Sequence, residues 1–507
     1  PVGIINADFI KNVDYYSGSF PADRYNALSG ILDFRQKEGS MDRTNIQLAL
    51  GASEASATLD GPIGDKTNYI FSVRRSYLQY LFSAIGLPFL PTFNDYQLKL
   101  KTDFDKNNQL TIISLGSLDK NVLNTGIENP DKTQQYILSQ IPVNDQWSYT
   151  FGAVYKNFFK NGFHTFVVSR NMLDNRFFKY PDNDESKQKI FDYYSTEQEN
   201  KLRYELDFRK NGIKYVFSSG IEYAKYYNDT KQQIFINNEI SNFNYNSDLD
   251  LLKYGFSGQA STRFLNQKLL ASLGIRFDGN TFNDNMKNPL NQFSPRLSFS
   301  YTLTSKSSLN AGVGRYFQMP AYTTLGYRDF SGNLANEEIK YIGVDHFTLG
   351  LQYRVNKGII VSAEGFIKTY FNYPIDTNTG ISLANQGADY SIAGATTVLS
   401  SGTGSAKGIE LLARFNFKTF SSIASYTFVR SIFDDIEGNK IPSSWDSRHL
   451  FTITGNKDLA KNWRVGFKWR YVGGLPYTPY DIEKSKNIEA WNVQGKPYLD
   501  YSKLNSE

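Results

Sequence analysis

Val465, Phe467, Trp469 and Tyr471 alternate without a break against Arg464, Gly466, Lys468 and Arg470. The same period of two recurs where Trp147, Tyr149, Phe151, Ala153 and Tyr155 face away from Ser148, Thr150, Gly152 and Val154. It recurs again over residues 297–304 and 347–355, with Leu297, Phe299, Tyr301 and Leu303, then Phe347, Leu349, Leu351, Tyr353 and Val355, on the apolar side. Successive strand side chains point to opposite faces, so each segment specifies a strand with one apolar and one polar face. The chain is therefore all-β, and the pattern constrains how its strands assemble.

Tight polar breaks separate these segments at Gly64-Asp65-Lys66, residues 105–108, Lys160-Asn161-Gly162, Lys210-Asn211-Gly212 and Asn266-Gln267. More follow at Thr304-Ser305-Lys306, Asn356-Lys357-Gly358, Lys418-Thr419 and Lys461-Asn462. Asn-Gly and Lys-Gly pairs are expected to supply the positive φ of tight hairpins. Longer connections are expected near 83–92, 119–145, 181–190, 231–242, 318–337, 375–397 and 433–446. Counting between these marks gives about nineteen strands over residues 43–476, the first two short and joined near Ala52-Ser53-Glu54. Short turns alternating with long loops, on strands of about ten residues or more, form the layout of a transmembrane antiparallel β-barrel.

Composition bears on that reading at two points. Tyr, Phe and Trp make up 15% of the chain, and they fall on the apolar faces where a soluble sandwich would carry Val, Ile and Leu. Mean hydropathy is −0.45, and no apolar run approaches the roughly 20 residues of a spanning helix. This excludes a helical membrane protein but not a barrel, whose alternating strands average out to polar. A propeller would repeat a shared motif every ~40–50 residues, and none is present.

Chemistry-bearing patterns are sparse. Cysteine is absent, and 55 Lys+Arg against 50 Asp+Glu gives no basic surface for nucleic acid. His164, His346 and His449 lie far apart, and no nucleophile elbow, phosphate loop or zinc-protease motif occurs. Residues 402–408, Gly-Thr-Gly-Ser-Ala-Lys-Gly, resemble a dinucleotide loop only superficially, since a strand pattern follows them. Asp182, Asp184 and Glu185, and Asp434, Asp435 and Glu437, could hold a hard cation, but solvated loops are the simpler expectation. No catalytic set, cofactor or metal is expected. Arg74, Arg75, Arg276, Arg296, Arg315, Arg414 and Arg470 sit within strands and are expected to face inward, toward a filling of the barrel or an anionic solute. Arg74 and Arg75 are adjacent, so they cannot both do so.

Five stretches resemble the TonB-dependent outer-membrane transporters, especially of the Bacteroidota type. "DYYSGSFPADRYNALSGILDFRQKEG", residues 14–39, resembles the end of the plug domain. "ATLDGPIGDKTNYIFSVRRSYL" is similar to the early barrel, and "FSPRLSFSYTLTSKSSLNAGVGRYFQMPAY" to the mid-barrel hairpin. "GSAKGIELLARF" and "SSWDSRHLFTITGNKDL" resemble two late strands. The family barrel has 22 strands when complete, so the resemblance implies a C-terminal remnant of the plug over residues 1–39 and an incomplete barrel over 40–507. A signal peptide, a coupling box and most of the plug would lie upstream of Pro1. It further implies a protein of the bacterial outer membrane, in contact with its lipid, that imports a scarce solute: a siderophore, vitamin, glycan or peptide. The TonB-ExbB-ExbD complex would energise it, and a surface lipoprotein could cover it. Matching to the family puts Phe20, Arg24 and Tyr25 where apical plug residues approach the ligand; packing of plug on barrel is the alternative role. The family usually has Gly after this Tyr, whereas here Asn26 follows, a residue that tolerates left-handed φ. A passive porin or surface adhesin on the same barrel is the competing expectation.

Overall fold

The computed structural model describes residues 4–236, 239–386, 394–460, 463–487 and 499–505. Among the described residues, twenty strands from Asn45–Leu50 to Trp463–Val472 follow one another in a closed antiparallel ring. That is one more than the alternation predicts. The extra strand is Lys440–Pro442, three residues that pair beside Phe420–Asp434 within an expected loop. At the seam of the ring, Trp463–Val472 and Asn45–Leu50 are exposed along nearly their whole length.

The alternating segments lie on strands Val143–Phe159, Ser294–Thr304, Ile342–Asn356 and Trp463–Val472. Their aromatic and aliphatic members face out of the ring, as at Phe151, Phe347, Leu349 and Trp469. The tight turns fall where the polar breaks are, except that Lys461-Asn462 lies outside the described residues. Gly64, Asn211 and Gly212 have φ of +64°, +51° and +80°. Gly162 and Gly358 do not adopt positive φ; what they need is room. A Cβ on Gly162 would sit 2.0 Å from the Asp207 carbonyl oxygen on the adjacent strand.

The long connections correct the expectation in two places. Ile213–Ile236 and Glu239–Phe264 carry their pairing through the stretch expected as a loop at 231–242. A further long connection, residues 281–293, holds a helical turn at Asp284–Lys287. Residues 402–408 lie inside strand Val398–Phe417. Asp182 is spent on Lys187 at 2.7 Å, and Asp184 accepts from Ser186.

Residues 4–38 occupy the interior of the ring. Ile10–Tyr16 and Ile31–Gln36 form a separate antiparallel ribbon. Around it, Asn6 donates to Ser72 at 2.9 Å, Lys101 pairs with Glu38 at 3.0 Å, and the Ala22 amide donates to Gln259 at 3.0 Å. Ser19 meets Thr348 at 2.9 Å, and Ser29 meets the Tyr370 hydroxyl at 3.3 Å. A segment that touches the inward faces of strands from Thr67–Ser76 to Ile359–Asp376 can lie only within the ring they form.

The strand arginines divide by face. Arg74 is buried and grips Asp95 through two hydrogen bonds of 2.9–3.0 Å, whereas Arg75 points outward and donates to Asn94. Arg315, expected inward, instead shares the outward face with Val313 and Phe347 and pairs there with Asp345 at 2.7 Å. The reason is parity: Gly314 and Tyr316 take the inward positions on its strand.

Removing Asp95 strips Arg74 of its closest carboxylate and leaves it with Glu54 at 3.8 Å, and breaking a buried ion pair costs up to about 3–5 kcal/mol. Asp95→Ala is therefore expected to lower the urea midpoint of the lipid-embedded barrel by up to that energy divided by the slope of the unfolding curve, and Arg74→Met with Asp95→Leu to recover most of it. Equal midpoints for the single variant and the parent would show that the pair does not hold these strands.

Candidate functional site

The inner segment is held by cations that donate to its main chain. Arg296 donates to the carbonyls of Phe20, Pro21 and Arg24, the last at 2.8 Å, while its guanidinium lies 4.6 Å from the Tyr316 ring. Lys368 donates to the carbonyls of Ser17 and Ser29 at 2.8 and 2.6 Å. His346 Nε2 meets the Leu28 carbonyl at 2.7 Å, and because a carbonyl only accepts, that nitrogen carries the proton. Lys99 donates to the Gln36 and Lys37 carbonyls. A guanidinium or ammonium buried this far needs acceptors to offset its lost hydration, and carbonyl oxygens supply them without adding charge.

The turn between the two ribbon strands faces a cavity of about 140 Å³. Asn26 makes this turn with φ +55°, the left-handed geometry the sequence leaves open, and its side chain accepts from the Met319 amide at 2.9 Å. Tyr25 is thereby presented to the cavity, 40% exposed, with its ring 4.5 Å from the Arg276 guanidinium. Arg276 also donates to Asp278 and to the Ala22 carbonyl. Arg24 turns away to pair with Asp23 at 2.8 Å and with Asp33, while its carbonyl serves Arg296. Phe20 is 1% exposed and packs on Tyr316, with ring centroids 4.2 Å apart, and edge-on to His346. Of the three, Tyr25 is the one that lines the cavity.

The opposite wall carries a charge network that the sequence motifs do not mark. Lys201, Glu222 and Lys253 stand side by side on three neighbouring strands. Lys201 pairs with Glu199 at 2.6 Å and with Glu222 at 3.2 Å, and Lys253 pairs with both glutamates. Tyr322, on a helical turn in the connection after Ser307–Gln318, donates to Glu199 and accepts from Lys253, each at 2.8 Å. Burial and then the Glu199 carboxylate hold its phenol far above the ordinary value, so it stays a donor. Two lysines and two glutamates cancel. With Phe317, Met319 and Tyr341 beside them, and with Arg203, Arg276 and Asp278 also on the lining, the walls offer hydrogen bonds and aromatic faces with one cation in excess of the anions. The signal that could have found this wall is the run of Glu197, Glu199, Lys201, Arg203 and Glu205 at period two, an unusually charged inward face. Its partners follow only from strand register.

The sequence agrees with a ring that holds an inner segment and a cavity at its tip. Residues 64–495 match the family described as TonB dependent receptor-like, beta-barrel. The chain belongs to the TonB-dependent receptor family. The receptor is an outer-membrane barrel that imports a solute in a TonB-dependent manner, in a family of receptors and transporters. No curated protein matches its sequence. Among solved structures it is similar to the pyoverdine receptor FpvA of Pseudomonas aeruginosa PAO1, at 14% identity and TM-score 0.70, over 94% of this chain and 74% of that one. It is also similar to the alcaligin receptor FauA of Bordetella pertussis, at 15% identity and TM-score 0.62, over 92% and 75% of the two chains. A mutant ferric enterobactin receptor of Pseudomonas aeruginosa matches at 15% and 0.62, over 91% and 80%. At these identities the likeness speaks for the fold.

Arg296→Gln removes the charged donor that three carbonyls share. In planar bilayers it is expected to open a conductance at lower urea than the parent protein needs. Arg315→Gln, on the outward face, serves as the control and should leave that threshold in place; equal thresholds for all three proteins would remove Arg296 from the hold.

Proposed function

We propose that residues 1–39 act as the C-terminal part of a plug and that the cavity at its tip receives the imported solute against Tyr25. The observation that carries this reading is the placement of Tyr25, with its neighbour Asn26 of the inner segment, on walls otherwise built by the barrel. A solute bound there touches both parts at once, so its arrival can be felt by the segment that blocks the way. In this reading Phe20 and Arg24 hold the tip, through the Tyr316 and Arg296 contacts and the two aspartate pairs. The barrel supplies hydrogen bonds through Tyr322, Glu199 and Lys253.

The same reading makes the TonB-ExbB-ExbD complex the energy source, with surface lipid around the barrel and a surface lipoprotein as a further partner. No catalytic role is proposed. A Bacteroidota-type origin rests on the five sequence stretches alone. The competing function, a passive porin or an adhesin, has less support, because residues 4–38 lie inside the ring that a steady channel would need open. Ferric siderophores are the first solutes to try, since structures of similar fold are receptors for enterobactin, alcaligin and pyoverdine.

Uptake of radiolabelled iron, offered as catecholate and hydroxamate complexes to a strain lacking its own receptors, tests the proposal. For a complex that the parent protein imports, Tyr25→Ala is expected to raise the half-saturating concentration about tenfold, and Tyr25→Phe to leave it near the parent value. Undiminished affinity in Tyr25→Ala would sink the assigned site. A large steady conductance of the parent protein in bilayers without urea would favour the porin instead.

A further inference from the structure

Taking the cavity as the solute site proposed above, we infer that it selects a solute with an anionic, planar end, a ring-borne carboxylate or its equivalent, read by Arg276 and Tyr341. At about 140 Å³ the cavity is close to the roughly 150 Å³ that holds one benzene ring. One flat end of a larger solute fits, and the remainder stays outside.

Arg276 is 5% exposed and belongs to the cavity lining. Asp278, two residues along the same inward face, takes one edge of its guanidinium, at 2.8 Å from Nε and 2.6 Å from Nη2. Nη1 reaches the Ala22 carbonyl at 3.3 Å, a long contact. Three of the five N–H groups are then used. Nη1 and Nη2 keep one each, at the end of the fork that a carboxylate can meet in two-point geometry. Gly255 makes room for this pose, because a Cβ there would come within 2.6 Å of Nη2 and 2.4 Å of Asp278 Oδ1. The Tyr25 ring lies 4.5 Å from the same guanidinium, so an anion on Arg276 sits beside the inner segment.

Tyr341 adds a second donor. It is 6% exposed and lines the same cavity. Its hydroxyl accepts from Asn280 at 2.9 Å, and among the described residues no acceptor takes its own proton. A buried donor without an acceptor is costly, and an anionic oxygen in the cavity would relieve it. The carboxylates of the lining are already engaged, Glu199 and Glu222 with the two lysines and Asp278 with Arg276. The lining thus offers an anion free donors and offers a cation no free carboxylate. Phe317 and Met319, with the Tyr25 ring, supply apolar surface for the ring that carries the anion.

Ligand-detected NMR titration of the full 507-residue chain in detergent, with benzoate against benzamide, tests the assignment. The two probes share a ring and differ in the anion. The parent protein is expected to hold benzoate about tenfold more tightly than benzamide, and Arg276→Gln to bring the two together, the weight of one charge-assisted contact. Tyr341→Phe should weaken benzoate about fivefold, and Gly255→Ala should weaken it with every charge kept. Arg315→Gln, on the outward face, should leave both affinities alone, and heat-modifiable migration checks the assembly of each variant. No saturable benzoate binding, equal affinities in the parent protein, or an unchanged preference in Arg276→Gln would each overturn the inference. Tyr25→Ala separates the two levels. Benzoate weakened by Tyr25→Ala but not by Arg276→Gln would keep the site and overturn its chemistry, whereas benzoate indifferent to Tyr25→Ala would overturn the site itself.

Discussion

The contact on which the rest of this structure depends is that of a barrel cation with a main-chain carbonyl of the inner segment. A ring of about twenty strands encloses more space than its own side chains can fill, and its inward face is polar by the alternation of its strands. Arg276, Arg296 and Lys368 are each less than a tenth exposed. Without acceptors, their burial would cost far more than the fold could offset. Residues 17–29 supply those acceptors as carbonyl oxygens, so the barrel and its filling satisfy each other. Carbonyls carry no formal charge, which leaves the hold directional and separable, unlike a network of buried ion pairs.

The same economy explains where charge is cancelled. Around the cavity, Lys201, Glu222 and Lys253 alternate in sign along one row, and Tyr322 closes the group from a loop. Most charges of the walls are therefore paired among themselves, and Tyr25 is the half-exposed contact that the inner segment contributes beside Asn26. On the outward face the rule is harsher, because lipid offers no hydrogen bonds. Arg315 meets it with Asp345. Arg75 meets it with the neutral amide of Asn94.

Much of this was legible in the residues. The alternation at Trp147, Phe347 and Val465 marked strands and faces correctly, because period two is a local property of extended backbone. The polar breaks marked the turns for the same reason. The stretch at 231–242 misled, since its polar residues lie on strands that extend beyond the apolar band, where polarity no longer distinguishes strand from loop. Arg315 misled because residue type alone says nothing of parity. Asn26 was readable as a left-handed turn, and the turn forms.

What the sequence by itself determined is the class of object: amphipathic strands of alternating pattern, joined by turns on one side and loops on the other, with a family signature along most of the chain. Those properties are set by neighbours a few residues apart. Only the tertiary structure decided which strands meet in register, and hence that Lys201, Glu222 and Lys253 form one row. It also decided that Tyr25, rather than Arg24 or Phe20, reaches the cavity. Register joins residues far apart in the chain, and the interior contacts of residues 4–38 join them across the whole ring. Such distances are chosen by the global fit of polar groups to partners, a sum that no local pattern contains.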